Sequence, residues 1–393
     1  MPELSARLQN FTESVIRKMT RVAQKYDAIN LSQGFPDFDP PVELTESLSD
    51  IAKSGPHQYA VTWGSANIRK ALAFKQERFM GIEINPDKNV LVTCGSTEAM
   101  MAAMMTVCNP GDKVIIFSPF YENYAADAIL SGAEAVFVPL NPPDFSFDKE
   151  TLRKAFELKP KALILCNPSN PTGKVFKLEE LEYIAGLAEK HDVFVITDEV
   201  YEHIVYSPHK HIYFASLPGM QKRTISCSSL SKTYSITGWR LGYLIADQSI
   251  IDSAKKVHDF LTVGAAAPLQ EAAVKGLYFP ESYYTALSEM YDRKRKIFLS
   301  YLDQAGFTYT EPHGAYYVMV DISEFGFPDD TVFSEFLAKE AGIVPVPGSS
   351  FFREKNHNFI RFHYAKKEET LHAAGEKILR IRDVIRTKNY DRN

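Results

Sequence analysis

Cysteine is scarce and unpatterned in this chain: four in 393 residues, at Cys94, Cys108, Cys166 and Cys227. They form no Cys-x-x-Cys pair, which argues against a zinc site or a redox motif. Cys94, Cys166 and Cys227 each close an apolar run, so they read as buried strand thiols in a reducing compartment. Basic residues are not in excess either. Lys and Arg number 44 against 49 Asp and Glu, a formal charge of -5. No local Lys/Arg run offers a field for nucleic acid. No stretch is apolar for long enough to span a membrane, and the N-terminus has no continuous apolar h-region. A cytoplasmic protein that engages neither membrane nor nucleic acid is expected.

Several active-site signatures are missing too. No Gly-x-Gly-x-x-Gly follows an early strand, so a nicotinamide dehydrogenase lacks its phosphate loop. No Gly-x-Ser-x-Gly elbow is present for a serine hydrolase. The pair Gly173-Lys174 lacks the first glycine of a nucleotide P-loop, where Pro168 stands. His209 and His211 are isolated, so no metal is expected, and they read as part of a solvated loop.

What is present is an alternation of short apolar runs with helical patterns. Strands are predicted over 89–94, 113–117, 135–140, 161–166, 193–197, 224–228 and 241–246, nearly continuous in Val, Ile and Leu as in a sheet covered on both faces. Helices are predicted over 96–107, 121–130, 149–156 and 178–190. The expected fold is α/β: a large domain with a mostly parallel seven-stranded sheet flanked by helices, plus a smaller α+β domain. A chain of this length suggests that division. The expected limits are 1–45 for an N-terminal arm and part of the small domain, 46–280 for the large domain and 281–393 for the small C-terminal domain. Leu8, Phe11, Val15, Met19 and Val22 fall at helical spacing. That helix needs a partner surface for its apolar stripe, either the small domain or another chain.

The chemically suggestive residues fall at the carboxyl ends of the predicted strands, where open α/β sheets bind ligands. Gly95-Ser96-Thr97-Glu98 opens a helix after the first strand. It is either a phosphate-binding turn or an ordinary cap. Asn170 sits in Asn167-Pro168-Ser169-Asn170-Pro171-Thr172-Gly173, a rigid turn or a site. Asp198 ends another strand, with Tyr201 three residues on; the acid is a cleft carboxylate, a cap or a surface group. The strongest signal is Ser228-Ser229-Leu230-Ser231-Lys232-Thr233-Tyr234-Ser235-Ile236-Thr237-Gly238-Trp239-Arg240. A buried-looking strand feeds a lysine, with hydroxyls and an arginine beside it. Lysine suits an aldehyde, and serine and arginine suit a phosphate, which points to pyridoxal phosphate.

In that order these motifs resemble the class I aminotransferases, of fold type I among the pyridoxal phosphate enzymes. The similarity runs from Leu31-Ser32-Gln33-Gly34-Phe35-Pro36-Asp37-Phe38 to Ile360-Arg361-Phe362-His363-Tyr364-Ala365. It looks closest to the methionine and kynurenine/glutamine subgroup, through residues 33–38 and Gln58-Tyr59-Ala60. The resemblance implies that Lys232 forms the covalent link to the cofactor and that Asp198 pairs with its ring nitrogen. It implies that Tyr201 and Asn170 bond its phenolic oxygen and that Tyr121 stacks on its ring. Gly95, Ser96, Thr97, Ser229 and Arg240 become the phosphate site, with Ser231 a further candidate. Arg361, with Asn170 and the Gly34 backbone, becomes the substrate carboxylate clamp. Tyr59 becomes a residue sent across a homodimer interface to the neighbouring phosphate.

The resemblance also places Phe35, Tyr59, Trp63, Tyr121 and Phe260 near the substrate pocket. No second arginine stands out for a side-chain carboxylate. The expected substrates are neutral, large amino acids (methionine, phenylalanine, tyrosine, glutamine or kynurenine) and a 2-oxo acid. The small residues of 262–267, where a kynurenine-preferring relative carries a bulkier aromatic and a histidine, favour a methionine-like substrate. Two rivals remain. A cysteine-conjugate β-lyase would use the same lysine and cofactor. A cofactor-sensing transcription regulator would need a DNA-binding module, for which the residues before Leu31 are too few.

Overall fold

The computed structural model describes residues 2–10 and 13–389. Helix Val15–Lys25 leads to a two-residue strand β1 (Ile29–Asn30), and helices Val42–Ser54 and Ala66–Met80 follow. The chain then alternates through β2 (Val90–Thr93), helix Ser96–Val107, β3 (Lys113–Ser118), helix Asn123–Ser131, β4 (Glu134–Asn141), β5 (Ser146–Phe147) and helix Lys149–Glu157. Next come β6 (Ala162–Cys166), helix Leu178–His191, β7 (Phe194–Asp198), β8 (Thr224–Ser229) and β9 (Gly242–Ile245). Helices Gln248–Thr262, Ala267–Leu277 and Glu281–Gln304 lead to β10 (Thr308–Tyr309), β11 (Tyr317–Asp321), β12 (Ile343–Val344), β13 (Val346–Pro347) and β14 (Phe359–His363).

The large sheet has the order β2-β9-β8-β7-β6-β3-β4-β5. All seven predicted strands form. The eighth, β5, is a short antiparallel edge piece on β4, and two residues leave no periodicity to read. Alternate residues of one strand face opposite layers. Val114 and Ile116 pack with helices Ser96–Val107 and Gln248–Thr262. Ile115 and Phe117 pack with Lys149–Glu157 and Leu178–His191. Burial on both faces explains why these strands read as unbroken apolar runs.

Links β4-β3-β6-β7-β8 are parallel, and β9 runs antiparallel to both neighbours. That one reversal has a local consequence. Gly242, the first residue of β9, pairs with Ser229 on one side and Thr93 on the other. The start of β9 therefore lies beside the ends of β8 and β2. A Cβ on Gly242 would fall on the Gly95 backbone, so only glycine permits that approach.

A second sheet, β10-β11-β14-β13, is antiparallel, and β1 pairs in parallel with β12. Helix Val15–Lys25 buries Met19 and Ala23 against Ala338 and Val344, and Ile16 against Val346 and Phe351. It starts at Ser14, whose Oγ accepts from Arg17 N at 3.3 Å. Leu8 lies before it in a separate turn, Ala6–Asn10, and Phe11 lies outside the described residues. The expected limit at residue 45 falls inside helix Val42–Ser54, which packs on Ala267–Leu277. Two loop readings change. His211 is not solvated: its side chain is buried with Nε2 3.6 Å from Glu199. His209 stacks on His313 at 3.8 Å between centroids. Of the three thiols expected to be buried, Cys227 is, whereas Cys94 and Cys166, at the strand ends that face the cleft side, are only half-buried; Cys108, at the end of helix Ser96–Val107, is buried as well. Among the described residues no helix is long and apolar enough to cross a membrane.

Behind β7 lies a buried polar knot. Glu202 accepts from Lys75 Nζ at 2.8 Å, Gln76 Nε2 at 3.1 Å, Tyr213 Oη at 2.7 Å and Tyr243 Oη at 3.1 Å. These donors hold its carboxyl far below the usual range. Glu202 follows Tyr201, so the knot fixes the turn after β7 to helix Ala66–Met80. Lys75→Met would leave the buried carboxylate short of its cation. Urea denaturation is expected to show a loss of about 3 kcal/mol; a loss within experimental error would contradict this role.

Candidate active site

A cleft of about 380 Å³ opens at the carboxyl ends of the large sheet and extends to the small one. Its floor follows from the strand order. The turn after β2 brings Ser96 and Thr97, the end of β8 brings Ser229, the one-turn helix after it brings Ser231 and Lys232, and the segment before β9 brings Arg240. Gly95, at φ 88°, is the N-cap of helix Ser96–Val107, and no side chain caps that end. Ser96 and Thr97 thus face the cleft and leave the helix N-terminus for an anion. Gly95 lies under this floor. A Cβ there would fall on the Arg240 guanidinium. Arg240 has φ 54° and donates from Nη1 to Thr237 O at 2.9 Å. Ser229 caps the one-turn helix Leu230–Thr233.

That short helix carries Lys232, half-buried. Its Nζ donates to Gly34 O at 3.1 Å, an oxygen that also accepts from Tyr316 Oη at 2.8 Å. The amine lies 5.9 Å from the Tyr201 ring centroid and 5.8 Å from that of Tyr316. Burial first, then the positive charges of Arg240 and Arg361, push its pKa down to about 8 against the opposing pull of Asp198. A useful fraction is therefore free base near neutrality.

Asp198 ends β7 and is buried, and burial raises its pKa. Tyr124 Oη donates to its Oδ2 at 2.6 Å. One helical turn beyond Tyr124, buried Asp127 is pushed up to about 8 by burial and then by Asp198. Tyr201 Oη shares a hydrogen bond with Tyr317 Oη at 2.9 Å.

Arg361 sits in the middle of β14, fully buried. It donates from Nη1 to Asn170 Oδ1 at 2.6 Å and from Nη2 to Ser32 O at 2.8 Å. The rings of Tyr317 and Phe351 lie 4.1 and 4.6 Å from its guanidinium carbon. Among the described residues it makes no ion pair, and its Nε has no hydrogen-bond partner. A buried cation lacking a counter-charge is an anion site.

The cleft gathers most of the predicted residues: Gly34, Phe35, Ser96, Thr97, Tyr121, Asn170, Asp198, Tyr201, Ser229, Ser231, Lys232, Arg240 and Arg361 all line it. Three aromatics do not. Trp63 packs beside the Arg69 and Lys255 cations, at 5.9 and 5.1 Å, instead of facing the cleft. Tyr59 is 87% and Phe260 92% exposed in this chain. The expectation of no second arginine also needs correction, because helix Val15–Lys25 brings Arg17 to the cleft together with Ser14 and Ile16. Glu122, which accepts a hydrogen bond from Ser14 Oγ, brings an opposing charge. Tyr124, Asp127 and Tyr317 went unread; each is an isolated residue without a motif.

The residues fit pyridoxal phosphate on this structure's own terms. A floor of helix N-terminus, hydroxyls and arginine suits a phosphate. A buried acid that forms no ion pair among the described residues suits a protonated ring nitrogen. Comparison with known proteins agrees. The family model for class I and II aminotransferases matches residues 26–378. Methionine aminotransferase of Escherichia coli is 36% identical over 377 residues, covering 96% of this chain and 98% of that protein. Human kynurenine–oxoglutarate transaminase 1 is 36% identical over 397 residues, covering 92% and 94%. The solved structure of Mycobacterium tuberculosis N-succinyldiaminopimelate aminotransferase aligns with TM-score 0.92 at 33% identity, covering 96% of this chain and 99% of that one. The chain belongs to the class I and II aminotransferases. It is a pyridoxal phosphate-dependent transaminase of fold type I.

Gly95→Ala is expected to weaken pyridoxal phosphate binding to the apoprotein by about 1–3 kcal/mol, from backbone strain and displacement of Arg240. Equilibrium titration checks this; unchanged affinity would remove Gly95 from the site. The rate at which apoprotein couples to pyridoxal phosphate is expected to rise with pH through about 8, the value to which Lys232 is depressed. A rise only near the ordinary lysine value, about 10.4, would contradict the depressed amine.

Proposed function

We propose that this enzyme moves the α-amino group of a neutral, large L-amino acid to a 2-oxo acid in two half-reactions at one site, a ping-pong scheme. The observation that carries the reading is the lone buried cation of Arg361 in the same cleft as the depressed amine of Lys232. Arg361 offers a planar fork to the substrate α-carboxylate. Asn170 and the Ser32 carbonyl hold that fork in place. Bound pyridoxal phosphate supplies the electron sink for negative charge at the substrate Cα. Asp198 would keep a proton on the ring nitrogen, with Tyr124 orienting the acid. Tyr201 would donate toward the phenolic oxygen, and Tyr121 would flank the ring. Lys232 Nζ would hold the cofactor at rest and serve as the base that moves the substrate Cα proton. Ser96, Thr97, Ser229 and Arg240 would anchor the phosphate.

Side-chain preference rests on the cleft walls. Ile16, Phe35 and Tyr121 are apolar or aromatic, and Arg17 and Glu122 bring opposite charges that leave the walls without net sign. Methionine, aromatic amino acids, glutamine and kynurenine fit these walls better than aspartate. The relatives named above include a methionine and a kynurenine aminotransferase, in keeping with this range. Neither the site nor those relatives supports the β-elimination alternative. The working unit is read as a homodimer with shared sites. Tyr59 and Phe260 are large, exposed side chains on segments that meet where Gly264 approaches Thr62, which suits burial against a second copy. The four unpaired thiols suit a reducing, cytoplasmic compartment.

Adding amino acids singly to the holoenzyme and following its visible absorption tests the substrate class. Methionine and phenylalanine are expected to convert the band at far lower concentration than aspartate. Conversion by aspartate alone would overturn the preference. Arg361→Lys keeps the charge and loses the fork, so it should raise KM about tenfold or more; an unchanged KM would remove Arg361 as the clamp.

A further inference from the structure

A second buried charged group lies beneath the phosphate floor, and the mechanism above leaves it unused. His258, on helix Gln248–Thr262, is fully buried. Its Nδ1 lies 2.5 Å from Glu98 Oε1, and its Nε2 lies 2.8 Å from the backbone oxygen of Thr62. A carbonyl oxygen only accepts. Glu98 already accepts from Cys94 N–H at Oε2, at 2.5 Å, and from Thr262 Oγ1 at Oε1, at 2.8 Å. A carboxylate so surrounded by donors is ionised. Both ring nitrogens of His258 therefore face acceptors, and a neutral imidazole has one N–H to give. The directions agree: burial works against both charges, yet Glu98 is held below the usual carboxylate range by its donors, and hydrogen bonding and charge from Glu98 raise His258. Asp259 on its own helix adds to the effect. Cys94, whose N–H Glu98 accepts, feels the charges of both Glu98 and Arg240.

What the ring joins gives it a role. Through Glu98 it reaches Cys94 N–H, the start of the Cys94–Gly95–Ser96–Thr97 turn. Through Thr62 it reaches the loop that carries Tyr59. Glu98 also places a negative charge in the first turn of the helix whose N-terminus faces the cleft. An adjacent imidazolium offsets that charge where a phosphate must sit. We propose that His258 is a doubly protonated positioning residue for the cofactor phosphate, which locks the turn after β2 to the Thr62 loop through Glu98. This rests on the reading of that turn as the phosphate floor. It predicts an effect on anything bearing the phosphate and little on the rest of the cofactor.

The test compares the affinity of the apoprotein for pyridoxal phosphate and for pyridoxal, which lacks the phosphate, in wild type, His258→Gln and Glu98→Gln. The wild type is expected to prefer the phosphorylated compound. Both variants should lose roughly tenfold or more of that preference, the scale of one charge-assisted hydrogen bond, with pyridoxal affinity unchanged. Equal weakening of both compounds, or no change, would overturn the positioning role. Wild type that binds neither compound would instead sink the cofactor assignment itself. Should either variant fail to fold, the wild type alone still decides. In 15N spectra at about pH 7.5, where an unperturbed histidine is mostly neutral, the His258 ring should carry protons on both nitrogens. A singly protonated ring would refute the proposal.

Discussion

Asp198, Lys232 and Arg361 surround one cleft, and among the described residues none of them forms an ion pair. Asp198 and Arg361 are buried. Removing such groups from water without a counter-charge costs several kcal/mol each, and the rest of the chain supplies only neutral partners. Tyr124 serves Asp198, the Gly34 carbonyl serves Lys232, and Asn170 and the Ser32 carbonyl serve Arg361. The fold thus holds a set of unmatched charges in fixed places. A ligand with a protonated ring nitrogen, an aldehyde and a phosphate, followed by a substrate carboxylate, supplies the missing partners.

Two features of the scaffold make this arrangement possible. The reversed strand β9 brings Arg240 beside Ser96 and Ser229, and the pairing of Gly242 with Thr93 and Ser229 fixes the distance. Parallel strands β6, β7 and β8 are in register at Cys166, Asp198 and Cys227, so the segments carrying Asn170 and Lys232 leave the sheet on either side of the acid. The Glu202 knot and the His258–Glu98 pair then brace the two turns from behind. Rigidity in those braces is what lets a depressed amine and a bare guanidinium keep their orientation without a ligand's help.

The sheet was legible because strands covered on both faces must be apolar throughout, and runs such as Val114–Ile115–Ile116–Phe117 leave little choice. The floor was legible because its residues lie in short contiguous segments, Gly95–Thr97 and Ser229–Arg240. Partners that meet only through the fold were not. Lys75 and Glu202 lie far apart in sequence, as do Glu98 and His258, and no local pattern marks either pair. Arg17 reads as the polar face of a helix until that helix is packed on the small sheet. Trp63 turns away from the cleft, and Tyr59 and Phe260 stand exposed in this chain: Tyr59 and Trp63 lie in a loop, which has no period from which to infer a direction, and Phe260 lies on the exposed face of helix Gln248–Thr262.

The central claim is that Lys232 carries the cofactor. Sodium borohydride reduction of the holoenzyme, followed by digestion and mass spectrometry, tests it most directly. The account predicts that the cofactor's mass is fixed to the peptide containing Lys232 and to no other lysine. An unmodified Lys232 peptide, or a label on a different lysine, would contradict it.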